Sequence, residues 1–318
     1  MQELKDSSAL RADPDRLRAR LRSDGYLFLP GLLDPGPLAA LRSVILGTVA
    51  EHGWLAEGTD PDDAVPSDPP RFHMGKGWRR AYIAIQRIEA FHRQAFDPDA
   101  VALVTGLLEE PVLVHGQRIA RLIWPVLGDE PPPTTTPAHQ DFTHIQGTPD
   151  VITTWIPLGD VPASSGGLRV LTGSHRQGLR PVEASSGAGG LRSLVDEDDD
   201  RWATADYHLG DVVCFHSYTV HGSLPNTSDR LRLSVDYRYQ RLSEPVAEPS
   251  TRPHNCPYVP DWPELLDGVD WVSTEWARLP EGAEVVAMTM PGEAGLDQWV
   301  QQLQGARSRL LEDAGAVS

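Results

Sequence analysis

Apolar residues recur at helical spacing in the first third of the chain and at alternating spacing further on. Asp13-Pro14 predicts a helix start, because Asp can cap free N–H groups and Pro fits a first turn. Leu17 and Leu21 form its apolar edge and Gly25 ends it in the manner of a left-handed C-cap. Tyr26-Leu27-Phe28-Leu29 reads as a short strand. Asp34-Pro35 opens a second helix, with Leu38, Leu41, Ile45 and Val49 on one face and Gly53 at its close. Residues 54–70 are rich in Asp, Pro and Gly and read as a loop. Ala81 to Ile88 fits a strand or a short helix, and Phe96 to Leu108 fits a helix.

From Pro111 the pattern turns to strands. Val112 to Trp124 is one strand-like run, and Pro131-Pro132-Pro133 is a loop that delivers His139, since proline lacks a ladder donor. Val151 to Leu158 alternates, with Val151, Thr153 and Trp155 on one face and Ile152, Thr154 and Ile156 on the other. Arg232 to Gln240 alternates strictly: Leu233, Val235, Tyr237 and Tyr239 oppose Arg232, Ser234, Asp236 and Arg238. The Gly- and Ser-rich stretch 183–200, ending in Asp196 to Asp200, reads as a mobile surface loop. Trp262, Trp271 and Trp276 suggest a tail wrapped on the core, and Leu296 to Leu311 suggests a final helix. The expected architecture is mainly β with α-helical flanks, a single jelly roll without a second domain. Its parts are a helical flank over about 1–110, a jelly-roll core over about 111–242 and a C-terminal wrap over about 243–318.

Composition narrows the function classes. The net charge of −17 repels phosphate backbones and anionic membranes, so nucleic acid is not an expected partner. Cys214 and Cys256 are the only cysteines and make neither a disulfide framework nor a zinc-finger spacing. No apolar run is long enough for a signal peptide core or a membrane span, which points to a cytoplasmic protein. The pattern leaves the oligomeric state open.

The chemistry centres on Pro137-Ala138-His139-Gln140-Asp141. Side chains at i and i+2 of an extended strand point the same way, so His139 and Asp141 could grip one ion. Two imidazoles and one carboxylate occupy one face of an octahedron and leave three positions open, the arrangement suited to redox iron. His221 is the best candidate for the third ligand. A zinc site from His139, Asp141 and His144 is the rival reading, although the two-histidine zinc motifs are missing. His175 reads as a turn histidine, and His216 as packing or support. Arg71, Lys76, Arg79 and Arg80, with His73 and Trp78 among them, concentrate cations in an acidic chain and form either a solvated surface or a segment that binds an anionic group.

The order of Pro137–Asp141, Trp155-Ile156-Pro157-Leu158, Ser165-Gly166-Gly167-Leu168-Arg169-Val170-Leu171, Gly173-Ser174-His175, Gly210-Asp211 through His216, and His221-Gly222-Ser223 with Asn226, Ser228, Arg232 and Arg238-Tyr239 resembles the phytanoyl-CoA dioxygenase family. Asp24-Gly25-Tyr26-Leu27-Phe28-Leu29-Pro30-Gly31 resembles the family's opening, and the likeness covers roughly residues 15–240. The resemblance implies a double-stranded β-helix (a cupin-like jelly roll) with Fe(II) held by His139, Asp141 and His221. It implies 2-oxoglutarate and O2 as co-substrates, Arg232 on the distal carboxylate, and Ser223, Trp155 and Gln86 nearby. A guanidinium suits that role, because it is a planar, permanently charged fork. The implied reaction attacks an unactivated C–H of a small molecule and releases succinate and carbon dioxide. The presence of Asp141 disfavours halogenation, because in related halogenases a small residue replaces this carboxylate. His144, His73, Lys76 and Arg79 are the candidate substrate contacts. The competing functions are a zinc-dependent hydrolase on a cupin-like barrel and a non-catalytic jelly-roll binding protein.

Overall fold

Three of the N-terminal helices begin where an aspartate side chain caps them. The computed structural model describes residues 1–68, 77–126, 135–185, 188–256, 258–271 and 275–288, and the elements below are those of the described residues. Helix α1 (Pro14–Asp24) starts with the Asp13 carboxylate accepting from Arg16 N and ends at Gly25 with φ 82°. Helix α2 (Pro35–Glu51) is capped by Asp34. Helix α3 (Trp78–Gln86) settles the ambiguous segment near residue 81: Trp78, Ala81, Tyr82 and Ile85 are buried at helical spacing. Helices α4 (Glu89–Arg93) and α5 (Pro98–Leu108) follow, the latter capped by Asp97. The short α6 (Phe142–Ile145) lies within the β region.

The strands are β1 (Gln2–Glu3), β2 (Tyr26–Leu29), β3 (Val112–Val114), β4 (Ile119–Ile123), β5 (Ile152–Pro157), β6 (Leu168–Leu171), β7 (Val182–Ala184), β8 (Leu191–Ser193), β9 (Trp202–Thr204), β10 (Val212–His216), β11 (His221–Ser223) and β12 (Arg232–Arg241). The larger sheet has the order β2-β10-β5-β12-β3, with β4 also paired to β12, and the smaller has the order β1-β9-β6-β11. Strands of the N-terminal flank thus serve both sheets. One apolar layer, including Tyr26, Phe28, Trp155, Val170, Tyr207, Val213 and Phe215, fills the space between the sheets. The opposite face of the larger sheet packs Ile152, Ile156, Cys214, Leu233, Val235, Tyr237 and Tyr239 against the helices.

Two expectations need correction. The run Val112 to Trp124 is not one strand: β3 pairs with Tyr239–Arg241 of β12 and β4 with Arg232–Asp236. Between them the chain leaves the sheet so that Gly116 N and Gln117 N bond Ser250 O. A Cβ on Gly116 would sit 2.3 Å from Thr251 O, which requires glycine there. The stretch 183–200 is also not irregular throughout. Strands β7 and β8 pair as a hairpin, and Ser193 N donates to Ala138 O at 2.7 Å, beside His139. Of the described tail residues, the Trp262 and Trp271 rings each lie 5.3 Å from that of His92, and the Trp276 carbonyl accepts from Arg118 Nη2 at 2.6 Å. The expected helix Leu296 to Leu311 lies outside the described residues. No helix among the described residues is long and apolar enough to cross a membrane.

Candidate metal centre and co-substrate pocket

His139 and His221 face each other across two backbone hydrogen bonds, His139 N to His221 O at 2.8 Å and His221 N to His139 O at 2.9 Å. Gly222 permits this approach, since a Cβ there would meet Thr136 O at 3.0 Å. Asp141 is not on an extended strand with His139. Its backbone is already helical (φ −58°, ψ −36°) at the head of α6, and this turn, rather than strand alternation, brings the carboxylate back to the histidines. One ligand atom from each of His139, Asp141 and His221 lies within 4.8 Å of the others, and all three residues are buried.

The tautomers follow from the backbone. His139 Nδ1 is 2.9 Å from Pro137 O and His221 Nδ1 is 2.9 Å from Thr219 O. A carbonyl only accepts, so each Nδ1 carries the proton and each Nε2 presents a lone pair. The two Nε2 atoms lie 3.6 and 3.9 Å from Asp141 Oδ1. Burial, with His139 nearby, pulls the His221 pKa down to about 3. Burial pushes the Asp141 carboxyl up, but Arg238 and the two histidines outweigh it and hold the pKa well below the usual range. With both Nδ1 atoms held by carbonyls, the set offers two imidazole Nε2 atoms and a carboxylate, the donor set of open non-haem iron sites.

Beyond the expected site residues, Asp141 has two partners, Arg238 and Thr153, to which the sequence pattern assigns no site role. Arg238 donates from Nε to Oδ2 at 3.0 Å and from Nη2 to Oδ1 at 2.8 Å, and the Thr153 hydroxyl donates to Oδ2 at 2.6 Å. A signal existed: Arg238 shares the polar face of β12 with Arg232, six residues earlier.

On the same face of the larger sheet Arg232 is buried, with its guanidinium 5.7 Å from the centre of the Trp155 ring. Its Nε and Nη2 donate to Gly166 O at 3.1 and 2.6 Å, and Nη1 donates to Ser234 Oγ at 2.7 Å. Five N–H donors with three engaged leave one each on Nη1 and Nη2, a fork matching a carboxylate. Gly166 has φ +76°, and a Cβ there would meet Leu224 O at 2.9 Å, so glycine shapes the carbonyl that aims this arginine. Burial lowers the Arg232 pKa to about 9, with Asp236 opposing. Arg121, on the adjacent β4, is paired with Asp236 and reaches Thr136 Oγ1 at 3.4 Å. Ser223 Oγ accepts from Thr136 N at 2.9 Å, which places it on the His221 strand beside this group.

The other expected residues divide. The His144 ring is 6.0 Å from that of His139, and its Nε2 would be 3.4 Å from a Cβ on Gly189; it borders the cluster without joining it. Gln86 is buried, donates to Arg118 O at 3.2 Å, and its Oε1 has no protein partner. Arg79 is not brought to the centre: it is exposed and its Nε donates to Tyr258 O at 2.7 Å. His73 and Lys76 lie outside the described residues. His175 bonds Arg22 O at 3.0 Å, as a turn histidine should, and His216 lies 3.5 Å from Asp150. A cleft of about 430 Å³ beside β8, with Arg180, Arg192 and Glu197 on its walls, contains none of the cluster residues and is not the site.

A two-histidine, one-carboxylate centre in a jelly roll, with an open arginine fork on the neighbouring strand, defines an iron- and 2-oxoglutarate-dependent oxygenase, and the protein is an enzyme of that class. Residues 21–234 match the family model for phytanoyl-CoA dioxygenase, and the chain belongs to that family. It is 32% identical over 277 residues to 1-deoxypentalenic acid 11-beta-hydroxylase of Streptomyces exfoliatus, covering 81% of this chain and 89% of the relative. It is 28% identical over 271 residues to phytanoyl-CoA dioxygenase domain-containing protein 1 of Danio rerio, covering 72% and 91%. Among solved structures, the epimerase SnoN in complex with Fe3+, alpha ketoglutarate and nogalamycin RO aligns with a TM-score of 0.53 at 23% identity over 74% of this chain and 86% of that one. The apo form of the non-heme monooxygenase ThoJ aligns with a TM-score of 0.51 at 17% identity over 95% and 98%. At these identities the structural likenesses establish the jelly-roll fold.

Proposed function

We propose that this enzyme hydroxylates an unactivated C–H of a small natural-product intermediate, with Fe(II) on His139, Asp141 and His221 and 2-oxoglutarate anchored by Arg232. The observation that carries the reading is the pair of freed Nε2 atoms and the Asp141 carboxylate within 4.8 Å, beside an arginine with two undirected N–H groups. Bound iron with 2-oxoglutarate supplies the oxidising chemistry, consuming O2 and releasing succinate and carbon dioxide. The chain's part is to bind, orient and exclude water. His139 and His221 donate through Nε2 because the Pro137 and Thr219 carbonyls hold Nδ1. Arg232 takes the distal carboxylate with its free fork, Ser223 lies near it, and Trp155 forms the wall beneath. His144, with its ring 6.0 Å from that of His139, and the hairpin β7–β8, pinned to Ala138, are the walls against which a substrate would lie. The hydroxylase relatives support a small-molecule substrate. The net charge of −17 argues against nucleic acid.

Anaerobic protein with Fe(II) and 2-oxoglutarate should develop the weak visible charge-transfer band of the ternary complex, and Asp141→Ala should abolish it. A screen for succinate release against small-molecule pools then identifies the substrate class. Full activity with Zn(II), without O2 or keto acid, would overturn the reading in favour of a hydrolase.

A further inference from the structure

The Asp141 carboxylate is held on the side away from the histidines more firmly than a metal ligand requires. Oδ1 is the oxygen 3.6 and 3.9 Å from the two imidazole Nε2 atoms. Oδ2 is taken by the Thr153 hydroxyl at 2.6 Å and Arg238 Nε at 3.0 Å, while Arg238 Nη2 reaches Oδ1 at 2.8 Å. Thr153 and Arg238 are direct cross-strand partners between β5 and β12. The next strand places Phe215 opposite Thr153, with its ring 4.2 Å from that of His221. One row of the larger sheet therefore meets both the aspartate and the distal histidine. Arg238 is buried and both of its side-chain hydrogen bonds go to Asp141; Nη1 has no protein partner. Its placement is explained by the carboxylate and not by a wider network.

We propose that Arg238 and Thr153 are positioning residues that fix Asp141 as a one-oxygen ligand. This rests on the iron reading above. A carboxylate free to rotate can grip a metal with both oxygens and take one of the three positions needed for keto acid and O2. Here rotation would break two charge-assisted bonds and one hydroxyl bond in a buried site, where such bonds are strong. The arginine also offsets the aspartate's charge, so a bound dication retains more of its pull on a dianionic keto acid.

The test uses Co(II) titration of metal-free full-length protein, followed by its visible bands and by thermal unfolding. Thr153→Val keeps the shape and removes the hydroxyl, and Arg238→Lys keeps the charge and removes the fork. Both should shift the Co(II) bands as the coordination of Asp141 changes, and both should change Co(II) affinity on the order of 10-fold, the scale on which an outer partner tunes a metal ligand. Thr153→Ser should restore both. A purely structural role would lower the melting temperature and leave Co(II) affinity and bands unchanged. Wild-type Co(II) affinity and wild-type bands in both Thr153→Val and Arg238→Lys overturn the proposal. If wild type shows the Fe(II)–2-oxoglutarate band and these variants match it in Co(II) binding, only the assignment of Arg238 and Thr153 falls. If wild type takes up neither metal, the iron reading falls with it.

Discussion

The two faces of β12 come from the same ten residues and meet opposite environments. Leu233, Val235, Tyr237 and Tyr239 point into the helix-backed core, where Tyr237 and Tyr239 hydroxyls donate to Phe91 O and Ala95 O. Arg232, Ser234, Asp236 and Arg238 point between the sheets and meet Gly166, each other, Arg121 and Asp141. Both faces are buried. The strand is therefore not a half-wet strand of a sandwich, although its alternation is that of one. A buried polar face is costly unless each charge is paired or awaits a charged ligand. Arg238 and Arg121 have carboxylate partners; Arg232 has backbone and hydroxyl partners and no carboxylate. That difference among the described residues supports the proposal that Arg232 anchors a ligand's negative charge.

The strongest way to break this comparison is to put a charge on the apolar face. Val235→Asp should cost at least about 4 kcal/mol, because an unpaired carboxylate would be buried among Leu, Val and Tyr side chains. Urea unfolding should show loss of the cooperative native transition. A variant as stable as wild type would mean that this face is not the structural one.

Arg232→Gln tests the other face. Losing a bidentate charge-assisted contact should weaken 2-oxoglutarate binding by about 3 kcal/mol, on the order of 100-fold. Equilibrium titration with Fe(II) present reads the effect, and metal affinity should change little. If 2-oxoglutarate binding is unaffected while the fold collapses, Arg232 belongs with the structural face after all.

The alternation of β12 was legible in the sequence because both faces belong to one regular strand and polarity tracks position. His139, Asp141 and His221 were legible through residue types and family likeness, but the geometry was not. His-x-Asp suggested an extended strand, whereas Asp141 has already turned into α6. The break between β3 and β4 was hidden because Gly116 and Gln117 leave the sheet to bond Ser250 O, a contact between distant parts of the chain. The hairpin at 182–193 was masked by Gly and Ser, whose composition suggests disorder while β8 is pinned to Ala138. Arg238 and Thr153 were visible as inward residues, but their shared target appears only when β5 and β12 are in register.

Acid should weaken the apolar side through its buried histidine. His92 packs against Phe91 and Trp262, and burial, with Arg118 beside it, lowers its pKa to about 3. The folded state keeps this imidazole neutral while the unfolded chain binds a proton below about pH 6.5. Stability is complete above that pH and is lost as pH falls toward 3, at up to about 1.4 kcal/mol per pH unit from this group. Denaturation of His92→Gln between pH 6 and 4, compared with wild type, should show a shallower fall by about that slope. Parallel curves would mean that His92 is protonated in the folded state.

The smallest expected effect separates packing from hydrogen bonding on the same face. Tyr237→Phe keeps the buried ring, 5.9 Å from Phe91, and removes only the hydroxyl that donates to Phe91 O at 2.8 Å. The cost should be about 1 kcal/mol, the net worth of a buried neutral hydrogen bond, with the orphaned carbonyl raising it toward about 2 kcal/mol. Neither Co(II) affinity nor 2-oxoglutarate binding should change, because the ring points away from the metal centre toward the helices. Urea unfolding together with the Co(II) titration reads both quantities on one sample. A Tyr237→Phe protein with intact stability but weakened metal binding would show that the two faces of β12 are coupled through the strand, and the division between a structural and a ligand-binding face would fail at its mildest test.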